Sequence, residues 1–111
     1  MISGAHVMIF TRDEDGDRAF LRDVLEIPCI DSGGGWLIFR LPPAELGVHA
    51  GENGFHQIYF ICDDADAFVA SMAAKGVETL PITQEAWGRS TGVTLPGGGT
   101  LGIYQAQHAR P

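Results

Sequence analysis

The chain has 111 residues, a length that suits one domain, and 45% of them are apolar, as in a folded protein rather than a disordered one. Its formal net charge is −7 with no cluster of Lys and Arg, which argues against nucleic acid, whose affinity comes largely from phosphate neutralisation. No apolar run approaches the ~20 residues that span a bilayer, and residues 1–6 lack a basic stretch leading into an apolar one, so a cytoplasmic protein without a membrane partner is expected.

Residues 5–11 alternate as a strand does, with His6, Met8 and Phe10 on one face and Val7, Ile9 and Thr11 on the other. Asp13, Glu14 and Asp15 offer an N-cap and negative charge for the positive end of a helix. Phe20, Leu21, Val24, Leu25 and Ile27 give that helix an apolar stripe, and Pro28 stops it. Cys29, Ile30 and Asp31 form a short strand, Gly33, Gly34 and Gly35 a hairpin turn, and residues 36–41 a second apolar strand. Pro42 and Pro43 turn the chain into a strand over 45–49, and residues 51–54 read as a linker.

The second half repeats this layout. Residues 56–62 form a strand, and Asp63 or Asp64 caps a helix with the stripe Ala65, Phe68, Val69 and Met72, ending at Lys75 and Gly76. A strand over 77–82 places Pro81 near an edge, and a loop over 83–89 holds Trp87. Residues 90–95 and 100–105 make a hairpin around Pro96, Gly97, Gly98 and Gly99, and the tail from Ala106 is expected to be loose. Neither glycine run precedes Lys-Ser/Thr or opens a helix, so both read as hairpin turns and not as phosphate loops. Cys29 and Cys62, in apolar surroundings, read as reduced core residues. The pattern predicts an α+β fold of two tandem βαβββ modules, about residues 4–50 and 55–106 of a single 1–111 domain. Their curved, half-barrel sheet would enclose a cavity.

The duplication resembles the vicinal oxygen chelate superfamily of glyoxalase I, bleomycin- and fosfomycin-resistance proteins and extradiol dioxygenases. The resemblance rests on residues 5–13, 20–25 and 62–76, and on Leu95-Pro96-Gly97-Gly98-Gly99 through Tyr104-Gln105. The set Pro42-Pro43-Ala44-Glu45-Leu46, His49 and Trp87-Gly88 looks like that of small bacterial members of unassigned activity. Metal-dependent members place a ligand on the first and last strand of each module, and the ion acts as Lewis acid and template. Those positions fall here on His6, Gln57, Gly47 and Gly102; one imidazole, a neutral amide and two glycines make a poor set for a hard divalent ion. His49 and Tyr104 lie two residues beyond the glycines, so His6, His49 and Gln57 are the candidate ligands if a metal binds; His56, one step from Gln57, would face the other way.

Two functions follow from the resemblance. One is a metal-free small-molecule-binding protein that sequesters its ligand, a homodimer in the resistance branch, with negative charge favouring cationic molecules. Its site would comprise His6, His49, Gln57, Tyr59, Trp87 and Tyr104, with Met8, Phe10 and Ile61 as apolar wall and Trp87 as lid. The other is a glyoxalase-like lyase or isomerase, or a ring-cleaving dioxygenase, using His6 and His49 around zinc, nickel, iron or manganese. A metal-free enzyme would use His6 or Glu45 as base beside a carbonyl polarised by Tyr104 or Gln57. His108 is given no role, and Trp36 is assigned to core or interface.

Overall fold

Side-chain alternation along two paired strands sets the architecture, described by a computed structural model for residues 6–50, 52 and 56–111. Strands β5 (Gly88–Thr94) and β6 (Thr100–Ala106) pair antiparallel, with Val93 opposite Leu101 and Thr91 opposite Ile103. These four side chains are buried; Thr100, Gly102 and Tyr104 alternate with them and take the opposite face. Strand β3 (Tyr59–Cys62) runs parallel to β6, and β4 (Thr83–Glu85) antiparallel to β5, in the order β3-β6-β5-β4. Helix α2 (Ala65–Ala74) connects β3 to β4, so the second half is a βαβββ unit. Met72 joins Val93, Leu95, Leu101 and Ile103 in the buried cluster, flanked by Phe60 and Phe68. Asp64 is the cap of α2, its carboxylate accepting from Ala67 N at 3.1 Å.

The first half is less regular. Helix α1 (Glu14–Ala19) starts at Asp13, which accepts from Gly16 N at 3.0 Å. The single helix expected up to Ile27 instead widens into a π-helical turn over Phe20–Val24. Leu25 N donates to Phe20 O, and Glu26 takes the left-handed φ of 57° that ends the coil before Pro28. Lys75, at the end of α2, donates to the freed Val24 carbonyl at 2.6 Å. Strands β1 (Cys29–Asp31) and β2 (Leu37–Phe39) form an antiparallel pair. Gly33, Gly34 and Gly35 between them all have positive φ, which side-chain-bearing residues rarely adopt.

Two expected strands are not formed among the described residues. Residues 6–11 and 45–49 run without ladder hydrogen bonds, and Phe10, Leu46 and Val48 are 92%, 91% and 95% exposed. Alternation makes a segment able to pair, but a strand exists only beside another strand, and among the described residues no strand edge meets either segment. The expected strand over 77–82 gives way to β4, which starts just beyond it and lies where a loop was expected. Pro81 brings no N–H to a ladder, and pairing with β5 begins at Thr83 opposite Ser90. Residue 5 and most of the expected linker, residues 51 and 53–54, lie outside the described residues.

One buried polar contact ties the halves together. Asp17 in α1 is 4% exposed, and its Oδ1 accepts from Gly97 N, in the β5–β6 turn, at 2.7 Å. A Cβ at Gly97 would collide with the Thr11 hydroxyl, so glycine is what lets the turn approach. Asp17 Oδ2 is buried without a protein partner. Removing the acceptor leaves the part-buried Gly97 donor without its partner. Asp17→Ala is expected to cost about 1–3 kcal/mol, and Asp17→Asn, which keeps the accepting oxygen, less; urea denaturation of the three proteins measures the order.

Candidate functional site

The face of the sheet opposite α2 is the natural place for a site, because strand alternation leaves it short of bulk. Gly92 and Gly102 sit directly opposite each other on β5 and β6, and Tyr59 on β3 pairs with Gly102. The Tyr59 ring lies across Gly102 so closely that a Cβ there would enter the ring. Tyr104 follows two residues along the same face, and Trp87 stands in the turn between β4 and β5. Three aromatic rings therefore gather on one patch: Tyr59–Trp87 at 5.9 Å between centroids, Tyr59–Tyr104 at 5.8 Å and Trp87–Tyr104 at 4.9 Å. All three pairs are edge-to-face, the arrangement that ring quadrupoles favour. Tyr59 and Trp87 keep 42% and 38% of their surface in water, so the patch is open to a ligand.

Beside the rings lies a cavity of about 420 Å³, whose walls include Met8, Ile58, Tyr59, Leu80 and Leu101. Its polar groups are few: His56, Gln57, Ser90, Thr91 and Thr100, with no Lys, Arg, Asp or Glu among the described lining residues. A largely apolar hollow with a few convergent donors and acceptors is the usual form of a small-molecule pocket. His56 and Gln57, assigned to opposite faces from strand phase, both reach it, since β3 begins only at Tyr59 and the alternation rule does not govern residues 56–58. A second depression, about 460 Å³ along Val69, Ala73 and residues 76–79, lies on the helix side, away from the rings.

The tail does not hang loose. Gln107 N donates to Trp87 O at 2.9 Å, and Gln84 Nε2 donates to Gln107 Oε1 at 2.6 Å. His108 Nε2 lies 3.0 Å from the Tyr104 hydroxyl and 3.7 Å from Glu45 Oε1, while Arg110 Nε donates to Glu45 Oε2 at 3.0 Å. Glu45, His108 and Arg110 thus form a polar clasp at the edge of the aromatic patch. Sequence reasoning missed His108 and Arg110 because their partners lie across the fold, and nothing local marks the tail as docked. Burial first, and the Glu45 carboxylate second, push the Tyr104 phenol above its usual range, with Arg110 opposing. Burial likewise pushes the Cys62 thiol up, which makes it a poor nucleophile near neutrality.

His6 and His49 do not join this group. Both are exposed; His49 Nδ1 is 2.7 Å from Ala50 O, and neither residue lines the cavity that Gln57 lines. Phe10, expected in the cavity wall, points to water, whereas Trp36 packs under the Arg18 guanidinium at 5.1 Å. Among the described residues no three His, Cys, Asp or Glu side chains converge as a metal would need. The last-strand ligand position of the second half, Gly102, is covered by the Tyr59 ring. Among the described residues, the donors at the positions that the resemblance assigns do not fit a hard divalent ion.

The Tyr104 phenol supplies a pH-dependent signature. In a Tyr59→Phe background its ultraviolet titration should lie above that of free tyrosine, and Glu45→Gln should move it back down by removing the repelling charge. Stability should fall as the pH rises through the free-tyrosine range, near 10, because the unfolded chain releases the proton first.

No family model and no curated protein matches the sequence. Solved structures do match. The antibiotic-binding protein TnmS3 from Streptomyces sp. CB03234 superposes with a TM-score of 0.69 at 19% identity, covering 96% of this chain and all of that one. A lactoylglutathione lyase from Agrobacterium tumefaciens gives 0.66 at 17% identity, over 92% of this chain and 94% of that one. The fosfomycin-resistance protein FosX from Listeria monocytogenes gives 0.63 at 22% identity, over 96% of both. Superposing over nearly the whole length at these identities, the chain shares the α+β fold of these structures.

Proposed function

We propose that the chain is a small-molecule-binding protein of the glyoxalase and bleomycin-resistance type, which holds its ligand without a resident metal and without transforming it. The observation that carries this reading is the 420 Å³ cavity continuous with an exposed aromatic patch through Tyr59. Apolar burial against Met8, Ile58, Leu80 and Tyr59 would supply affinity, at about 25 cal/mol per Å² of apolar surface. The Gln57 amide, with one acceptor and two donors, would orient a carbonyl or amide of the ligand, helped by the Ser90 hydroxyl. Trp87, fixed through its carbonyl to Gln107, serves as a wall that the ligand stacks on rather than a hinged lid.

In this reading the tandem βαβββ arrangement remains the plan of a single 1–111 domain. The first half contributes α1, β1 and β2 in the order that the second half completes, and residues 6–11 and 45–49 are the strands that would extend the curved sheet. A second copy of the chain in a homodimer is the partner suited to pair with them, and the site of action is the cytoplasm. The competing reading, a lyase, isomerase or dioxygenase working through His6 and His49, needs both imidazoles and a carboxylate at one point. The positions of His6 and His49 and the ring over Gly102 speak against it. Tyr104 and Glu45 meet through His108 at the patch edge, so their part is to shape the site.

Nile red, a neutral apolar dye, tests the cavity directly. Its fluorescence should rise saturably with one dye per chain, and Tyr59→Ala or Gln57→Ala should weaken binding by tenfold or more. Unsaturable binding, or affinity unmoved by both substitutions, would refute the pocket as a ligand site.

A further inference from the structure

The histidine of the tail decides which way the Tyr104 hydroxyl can bond. His108 Nδ1 lies 2.9 Å from Ala109 O, a carbonyl that can only accept, so Nδ1 carries a proton. In a neutral imidazole the other nitrogen is then bare, and His108 Nε2 lies 3.0 Å from the Tyr104 hydroxyl. The phenol therefore donates its single proton to His108. Glu45 Oε1, 3.7 Å from Nε2, is too far away to share a hydrogen bond with it, and Arg110 counters that carboxylate from 3.0 Å. Burial, and then the Glu45 charge, hold the phenol above its usual range, so near neutrality its proton is there to be given. Among the described residues the hydroxyl bonds to His108 alone.

With that proton committed, Tyr104 has only a lone pair left for whatever arrives at the patch. We propose that Tyr104 accepts a hydrogen bond from an O–H or N–H of the bound ligand, and that His108 is the positioning residue that sets this polarity. The proposal rests on the ligand-binding reading above and gives Tyr104 a contact of its own with the ligand. Sequence reasoning assigns Tyr104 the opposite part, polarising a carbonyl, but a carbonyl oxygen would meet the Tyr104 oxygen lone pair to lone pair. Tyr104 is half-buried, and its ring centroid is 5.8 Å from that of Tyr59, which lines the cavity. A ligand that extends over Tyr59 therefore comes within reach of the hydroxyl. Its carbonyl or amide end belongs with Gln57, which can give or take a proton, and its donor end with Tyr104. An aromatic ligand with a free hydroxyl fits that division.

2-Naphthol and 2-methoxynaphthalene share one ring system, and only the first has a proton to give. Equilibrium dialysis at about pH 8, above the range in which an ordinary histidine takes up a proton, compares them. 2-Naphthol should bind about fivefold or more tightly, the worth of one hydrogen bond. Tyr104→Phe should bring that ratio to about one. His108→Ala leaves the hydroxyl free to turn its proton toward the ether oxygen, and should lower the ratio to about twofold. His108→Gln, whose amide oxygen can accept in place of Nε2, should restore it. A tail that only holds the site in shape would weaken both probes together, so an unchanged ratio in His108→Ala overturns the positioning role. Equal binding of the two probes by the unsubstituted chain, or of neither, overturns the acceptor assignment, as does a ratio that survives in Tyr104→Phe. Nile red binding retained alongside any of these results leaves the cavity reading standing; if neither naphthalene nor Nile red binds, both fall.

Discussion

The β5–β6 ladder is the constraint on which everything else depends. Its register puts Val93, Leu101 and Ile103 on one side, fully buried, where they seat α2 and the π turn of the first half. Each of these buried aliphatic side chains contributes about 1.5–3 kcal/mol, a weighty amount against a net domain stability of only about 5–15 kcal/mol. The same register turns Gly102 and Tyr104 outward and leaves room above the glycine for Tyr59. Core and ligand face are two readings of one alternation. A slip of one residue would bury the Tyr104 phenol and expose Leu101, so the pocket cannot be shifted without dismantling the core.

Around that ladder, contacts of very different worth hold the pieces. The Arg89–Asp66 pair joins β5 to the first turn of α2 with two hydrogen bonds, yet both groups are solvated and such pairs contribute little. Gln105 Oε1 accepting from Ala65 N, at 3.0 Å and partly buried, does more to place the helix, because it satisfies a donor that the first turn leaves free. Asp17 does most to join the halves, since its side chain is buried and losing its contact with Gly97 would leave a part-buried donor unpaired. Lys75 plays the complementary part at the other end, holding a carbonyl that the widened helix has released.

Local chemistry was legible in the sequence, and non-local pairing was not. Asp13 and Asp64 announce their helices because a cap acts within a single turn, and the glycines of residues 33–35 and 97–99 announce turns for the same reason. The strands over 59–62, 88–94 and 100–106 follow from alternation because each finds its neighbour within the same module, whereas the one expected over 77–82 forms instead at 83–85, where a loop was expected. The segments over 6–11 and 45–49 carry equally good alternation, but no strand among the described residues offers the edge they need. At the site, Tyr59, Trp87 and Tyr104 stood out as aromatics at strand and loop positions. The clasp of Glu45, His108 and Arg110 did not, because it joins residues about 65 positions apart through a tail whose composition looks free.

Gly102 carries a consequence for how such a scaffold diversifies. The volume above its Cα can be occupied by the ring of its strand neighbour or by a side chain of its own, and never by both. A lineage that installs a carboxylate at this point, as an ion-using catalyst requires, evicts the aromatic wall in the same step. One that keeps glycine retains the ring and forgoes the anionic ligand. Two chemistries, hard-ion coordination and soft π contact, are thereby placed on opposite sides of a single codon change, with little room for an intermediate that performs either well.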